Sequence, residues 1–295
     1  MGGNDVVIYT GLALFAGGGG LELGLKLALG EHYRTVAYVE REASSAGVLA
    51  ANMERPEAGL DKGVIWDDVT SFTGDVISPF VDQIDIISAG FPCQPWSVAG
   101  NRKGTEDERW LWPHIFRLVR EIRPRNIFLE NVPGLLYGGI EHVLGDLASV
   151  GFDAEWTSVR ASDVGAPHRR ERVFILANSS NLSGQVSSPN RADGTSGAVA
   201  AGASAELANP IRERGRSRDN QREHATHAFP PGPGGDWNNI AQRYWPAVKS
   251  PVRGVADGVA RGLARTQQLR ILGNGVVPQQ AAAAFQHLWG RLNHA

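Results

Sequence analysis

The sequence predicts an α/β fold, and three observations carry that prediction. Between residue 10 and about residue 177, short apolar runs of strand length alternate with stretches of helical periodicity. The segment LALFAGGGGLELGL joins such a run to a helical pattern through consecutive glycines, an arrangement that lets backbone approach a ligand closely. Near the end, Pro278 opens a helical pattern with Phe285, Leu288, Trp289 and Leu292 on one face, so the last segment is expected to pack back onto a core.

Taken in order, the first strand is expected at 12–15, ended by the glycine turn, with a helix at 21–29. A strand at 36–40 leads to a helix at 43–53, and Asp68 in WDDVT is read as closing a further short strand. IDIIS marks a strand at 84–88. The next helix ends near Ile122; Pro113 is tolerated only in a first turn, which favours a start near Trp110 over the Thr105 and Glu108 capping pattern. Strands at 127–130, 155–160 and 172–176 follow, with a helix at 139–150 between the first two.

The hydrophobic fraction of 42% suits a globular chain with one sizeable core and a smaller lobe. A single cysteine, Cys93, excludes an internal disulfide and a multi-cysteine zinc site, so no metal is expected and the thiol must be explained by packing or by chemistry. The N-terminus lacks a basic stretch followed by an apolar run, and Val6 stands where a myristoylation signal wants Ser or Thr. The uncharged stretch 6–21 is broken by glycines and too short to span a bilayer. A cytoplasmic protein without a membrane anchor is therefore expected. The net charge of -2 excludes a uniformly basic nucleic-acid coat, yet arginines cluster at 160–172 and 212–222. After Ala177 the composition shifts to Ser, Gly, Ala and Asn, then to the arginine-rich stretch and FPPGPGGDW. Such a segment buries little apolar surface, so 178–245 is read as a separate, partly low-complexity lobe, and 1–177 plus 246–295 as the main domain.

The glycine run does not satisfy the dinucleotide pattern GxGxxG: counted from Gly17 the third position is Glu22, and from Gly18 it is Leu23. A carboxylate near the helix N-terminus also repels a pyrophosphate. Both points shift the expected ligand from a nicotinamide dinucleotide to an uncharged or cationic nucleoside. Glu40, twenty residues past Gly20, suits ribose hydroxyls, and Asp68 an adenine amino group. Cys93 follows one strand and Glu130 ends another, so in a parallel sheet both stand on the carboxyl rim with the glycine turn. Pro92 and Pro95 stiffen the loop around the thiol.

FAGGGGLELG, GFPCQPWS, LENVPG, GAPHRRERVFIL and LGNGVVP, in this order, resemble the successive blocks of the cytosine-5 DNA methyltransferases of the bacterial and phage modification type. The resemblance implies a Rossmann-like S-adenosylmethionine-dependent core, with a small target-recognition lobe inserted before the C-terminal segment. It also implies S-adenosyl-L-methionine as methyl donor, a flipped cytosine in double-stranded DNA as acceptor, a monomer, and a cognate restriction endonuclease acting on the same site. By the resemblance Cys93 adds to ring carbon 6, Glu130 serves ring nitrogen 3, Arg172 holds the cytosine carbonyl and positions Glu130, and Arg170 supports the cysteine loop. Phe15 and Ala16 would lie against the cofactor, Gly17, Gly19 and Gly20 along its methionine side, and Glu40, Asp68 and Val69 at its nucleoside. Pro92, Leu111, Asn274, Gly275 and Val276 would complete the cofactor site.

The chain departs from the family pattern at two places. His168 replaces the usual glutamine of the arginine block, and Arg41 stands where relatives often carry an aromatic that covers the adenine. The lobe at 178–245 is where the resemblance puts target recognition, with arginines suited to phosphates and guanine edges. Two other readings use the same residues: methylation of cytosine in RNA, and DNA binding without catalysis. The joint presence of Cys93, Glu130 and Arg172 speaks against the second.

Overall fold

The computed structural model describes residues 8–92, 110–179 and 265–293. Within them one seven-stranded sheet has the order β3-β2-β1-β4-β5-β7-β6. The strands are β1 (Tyr9–Leu14), β2 (Tyr33–Val39), β3 (Val64–Trp66), β4 (Ile86–Gly90), β5 (Asn126–Asn131), β6 (Asp153–Arg160) and β7 (Glu171–Asn178). Strands β1 to β5 run parallel. β7 is antiparallel to both β5 and β6.

That reversal has a simple origin. Only residues 161–170 connect β6 to β7, including a 3₁₀ turn at Ala161–Val164. A parallel crossover needs a dozen residues or more, so the chain folds back as a hairpin. The start of β7 is thereby delivered to the rim where the parallel strands end. Expecting a uniformly parallel sheet misses this: the register sets Glu130 opposite Phe174 and Asn131 opposite Val173.

Helices α1 (Gly20–Leu29), α2 (Ala43–Met53), α3 (Trp112–Ile122) and α4 (Ile140–Ser149) fall within two residues of their expected bounds. Strand ends move by up to three residues because pairing continues into polar positions, as where Tyr9 and Thr10 meet Tyr33 and Arg34. In α3, Pro113 occupies the first turn, and Trp112, Ile115, Leu118, Val119 and Ile122 form the buried stripe. This stripe and Val143 and Leu147 of α4 cover the face carrying Leu12, Leu14, Ile87 and Leu129.

Two further helices lie beyond the 180–264 segment, which falls outside the described residues together with the proposed lobe. Helix α5 (Arg265–Asn274) has no counterpart in the sequence expectations: of its described side chains only Ile271 is buried, so no apolar stripe marks it. Helix α6 (Pro278–Asn293) packs with α1 on the second face, where Leu25, Phe128, Phe174, Phe285 and Leu288 form one cluster. Phe285 meets Phe128 edge-on at 5.2 Å and stacks on Trp289 at 5.4 Å. Each fully buried Phe or Leu of this kind contributes about 1.5–3 kcal/mol, which fastens the C-terminal segment to the sheet beside the glycine turn.

Candidate active site

The glycine turn opens at the end of β1. Phe15 adopts φ 55, a left-handed conformation costing a non-glycine residue about 1–3 kcal/mol and concentrated at functional sites. The amide of Gly17 donates to Glu40 Oε2 at 2.8 Å, while Glu40 Oε1 accepts from the amide of Glu42 at 2.7 Å. Glu40 thus ties the turn to the start of α2. Gly19 caps α1 with φ 84, and a Cβ there would meet Leu60 Cδ1 at 2.6 Å. It faces the core beneath the turn instead of lining the cleft. At Gly20 a Cβ would stand 2.5 Å from the carbonyl oxygen of Val276, so only glycine lets the 275–277 loop lie against the turn.

That loop is held from β7. Arg170 Nη1 donates to the carbonyl of Gly273 at 2.8 Å and Nη2 to that of Gly275. Gln280 Nε2 donates in return to the carbonyls of Val159 at 2.6 Å and Arg170 at 2.8 Å. The expected role for Arg170 is support of the cysteine loop, which lies outside the described residues; its described side-chain hydrogen bonds go to the C-terminal segment. Burial, and then Arg172, bring its guanidinium down to about 10, which leaves it charged.

Between the turn, the ends of β4 and β5 and the 274–276 loop lies a small cleft, partly open to solvent. Its wall gathers Phe15, Ala16, Gly17 and Gly20 from the turn and Asn274, Gly275 and Val276 from the C-terminal loop, with Glu130 of β5 also in the lining. Gly90 brings β4 against this carboxyl: a Cβ on it would lie 3.3 Å from Glu130 Oε2. Arg172 Nε contacts Glu130 Oε1 at 2.8 Å, both side chains being largely buried. Burial raises the Glu130 carboxyl above its usual range, and Arg172, then Arg170, pull it partly back. A carboxyl so poised holds a proton more readily than a free one and can pass it to a base.

The other expected residues that the structure describes are not among those lining this cleft. Asp68 Oδ1 accepts from the amide of Thr70 at 2.8 Å, which holds its carboxyl below the usual range. Arg41 approaches Asp68 at 3.8 Å with its side chain 83% exposed. Val69 is buried, with its carbonyl accepting from Arg117 Nη2 at 3.0 Å. Leu111 caps α3, and Pro92 is exposed at the edge of the described residues. Partial burial, then Arg170, lower His168. Cys93 lies outside the described residues.

Three contributors escaped the sequence reading. Asn131 Nδ2 donates to the carbonyl of Phe91 at 3.1 Å, and its Oδ1 accepts from the amide of Val132. It therefore ties the first residue of the cysteine loop to the end of β5, and its place beside Glu130 in LENVPG is the signal that pointed to it. Gln280 carried no signal beyond its position after Pro278. Glu22, read as an acid at a helix N-terminus, is instead buried in the cleft wall at 2% exposure.

The Glu22 oxygen without a partner among the described residues, in the wall of the cleft, fits a small cationic nucleoside better than a phosphate. The sheet order, with its reversed seventh strand, is an open α/β fold that carries its cleft at the carboxyl ends of the parallel strands. More narrowly, the sequence matches the C-5 cytosine-specific DNA methylase family over residues 9–231, and the chain belongs to that family. It is 39% identical over 173 residues to the type II methyltransferase M.NgoMIV of Neisseria gonorrhoeae, covering 57% of this chain and 51% of that protein. It is 32% identical over 184 residues to M.AquIA of Picosynechococcus sp., covering 57% and 71%. The chain spans about half the length of the curated relatives it matches. The solved structure of the Entamoeba histolytica methyltransferase EhMeth aligns over 97% of this chain and 99% of that one, with a TM-score of 0.60 at 13% identity, a likeness of fold. Among the described residues no helix is long and apolar enough to cross a membrane, and no group of side chains could hold a metal ion.

Proposed function

We propose that the protein transfers a methyl group from S-adenosylmethionine to carbon 5 of a cytosine flipped out of double-stranded DNA. The observation that carries this reading is the buried Arg172–Glu130 pair, its carboxyl in the lining of the cleft, beside the strand end that leads to Cys93. A cytosine ring is too weak a nucleophile at carbon 5 until a group adds to carbon 6. The Cys93 thiolate forms that bond, and Glu130 hydrogen-bonds or protonates ring nitrogen 3 so that charge does not build up on the ring. Arg172 holds Glu130 in place and faces the cytosine carbonyl oxygen. S-adenosylmethionine, when bound, supplies the electrophilic methyl group that carbon 5 takes. Loss of the carbon 5 proton and elimination of the Cys93 thiolate then restore the ring.

In this reading Phe15, Ala16, Gly17, Gly20, Asn274, Gly275 and Val276 enclose the cofactor, Gly19 shapes the turn, and Glu40, Asp68 and Val69 frame its nucleoside end. Pro92 and Leu111 belong to the loop and helix start that close the site. Residues 178–245 read the target, and a cognate restriction endonuclease recognises the same sequence, as the type II relatives suggest. The test is expression in a host that lacks cytosine methylation, followed by base-resolution sequencing of host DNA. 5-Methylcytosine at one sequence context, lost with Cys93→Ala, is expected. A soluble, cofactor-binding protein that leaves the DNA unmodified overturns the DNA reading.

A further inference from the structure

Two carboxyl groups wall the cleft, and they are not equivalent. Glu130 is answered by Arg172 at 2.8 Å. Glu22, in the first turn of α1, has no such partner among the described residues: Oε1 accepts from Ser88 Oγ at 2.8 Å, and Oε2 meets no hydrogen-bond donor among them. Either protonation state leaves something unmet, an idle hydroxyl or acceptor in one case and an uncompensated buried charge in the other.

The groups packed around Glu22 do not supply the missing charge. From β2 come the phenols of Tyr33 and Tyr38, both pushed upward by burial first and then by Glu22 itself. Behind them Asp61 is paired with Lys26 at 2.5 Å. β4 offers the hydroxyl of Ser88, and α6 brings Ala281, Ala284, Phe285 and Leu288 to the same cluster. Across the cleft, Glu130 is occupied by Arg172. Among the described residues no lysine or arginine lines the cleft. Burial pushes the Glu22 carboxyl up to about 7, so near neutral pH a cation entering the cleft draws it into its charged form.

We propose that Glu22 makes the cleft selective for the charge of its ligand, favouring the sulfonium of S-adenosylmethionine over the neutral thioether of S-adenosylhomocysteine. The inference rests on the methyl-transfer reading above and deepens it. The two molecules share the same amino-acid and nucleoside groups and differ by the methyl and one positive charge. On transfer the sulfur keeps its electron pair and becomes neutral. Glu22 then loses the cation that favoured its ionisation, takes up a proton and holds the product less tightly than the donor. Glu22 acts through its field and is a specificity residue, not a catalytic one.

The test is calorimetric titration of the full chain with each of the two molecules, at about pH 6, 7 and 8, in two buffers of different ionisation enthalpy. Wild type is expected to bind S-adenosylmethionine about tenfold more tightly at the upper pH, the factor by which one pH step changes the ratio of charged to neutral carboxyl. Part of a proton should be released at the lower pH, whereas S-adenosylhomocysteine affinity stays flat. Glu22→Gln is expected to abolish the proton release and to lower S-adenosylmethionine affinity about tenfold at about pH 8. Its unchanged affinity for S-adenosylhomocysteine would show an intact cleft. Should Glu22→Gln fail to fold, the wild-type proton counts for the two ligands decide, and equal counts overturn the inference. Equal losses for both ligands in Glu22→Gln overturn it too. Wild type that binds neither molecule overturns the methyl-transfer reading itself.

Discussion

The two halves of the cleft treat a buried acid in opposite ways. On the β5–β7 side, Glu130 faces a guanidinium carried in by the reversed strand. On the β1–α1 side, Glu22 has one serine hydroxyl and an oxygen without a partner among the described residues. The first half resembles a finished ion pair, whose parts are costly to separate; the second is incomplete until something positive arrives. Placement next to a hairpin or next to a helix start, more than residue type, decides which task a buried glutamate can perform.

The largest effect should come from breaking the finished side. Arg172→Ala leaves Glu130 buried and unpaired, with an expected loss of about 3–5 kcal/mol in urea unfolding. Methylation should fall about 100- to 1,000-fold. Adding Glu130→Gln to that variant should return much of the stability and none of the activity, because the stray charge is gone but so is the proton carrier.

Next comes the pH response of the unfinished side. Glu22 is raised from 4.5 to about 7 in the folded protein, so the unfolded chain gives up this proton first. Stability without cofactor should therefore be greatest below about pH 4.5 for this group and fall as pH rises to about 7, by on the order of 3 kcal/mol. Thermal melts across that window should show the fall in wild type and a smaller one in Glu22→Gln. The part that remains belongs to Glu130, which is shifted in the same direction. An unchanged slope in Glu22→Gln would remove Glu22 from the comparison.

Gly20→Ala probes how the two halves are joined, since its Cβ collides with the Val276 carbonyl oxygen. A loss of about 1–3 kcal/mol is expected, together with weaker cofactor binding as the 275–277 loop is pushed away. Smallest of all, Lys62→Ala breaks an exposed pair with Glu54 that involves neither acid. It should shift the unfolding midpoint by no more than about 0.5 kcal/mol of stability.

Much of the fold could be read along the chain. Helix α2 matches its expected bounds residue for residue, because a run of consecutive residues carries its own periodicity. Helix α5 could not be read, since one buried side chain among its described positions makes no stripe. The acids were found by type and position, yet Glu22 was legible only as a carboxylate near a helix N-terminus that would repel a pyrophosphate. In the fold it lies against Ser88 of β4 and near the Tyr33 and Tyr38 phenols of β2, and neither strand adjoins it in the chain. Arg170 was likewise found by its motif, but its hydrogen bonds reach Gly273 and Gly275, across the 180–264 segment.

Residue identity and order were enough to mark the glycine turn, Glu130, the arginine block and the C-terminal helix, because turn chemistry and the strand and helix periods are local properties. Three features came from packing: the reversal of β7, forced by a connection too short to cross over; the pairing of Arg172 with Glu130 that follows from it; and the isolation of Glu22. Each depends on which distant surfaces meet, and the free energy of a buried charge is set by those surfaces.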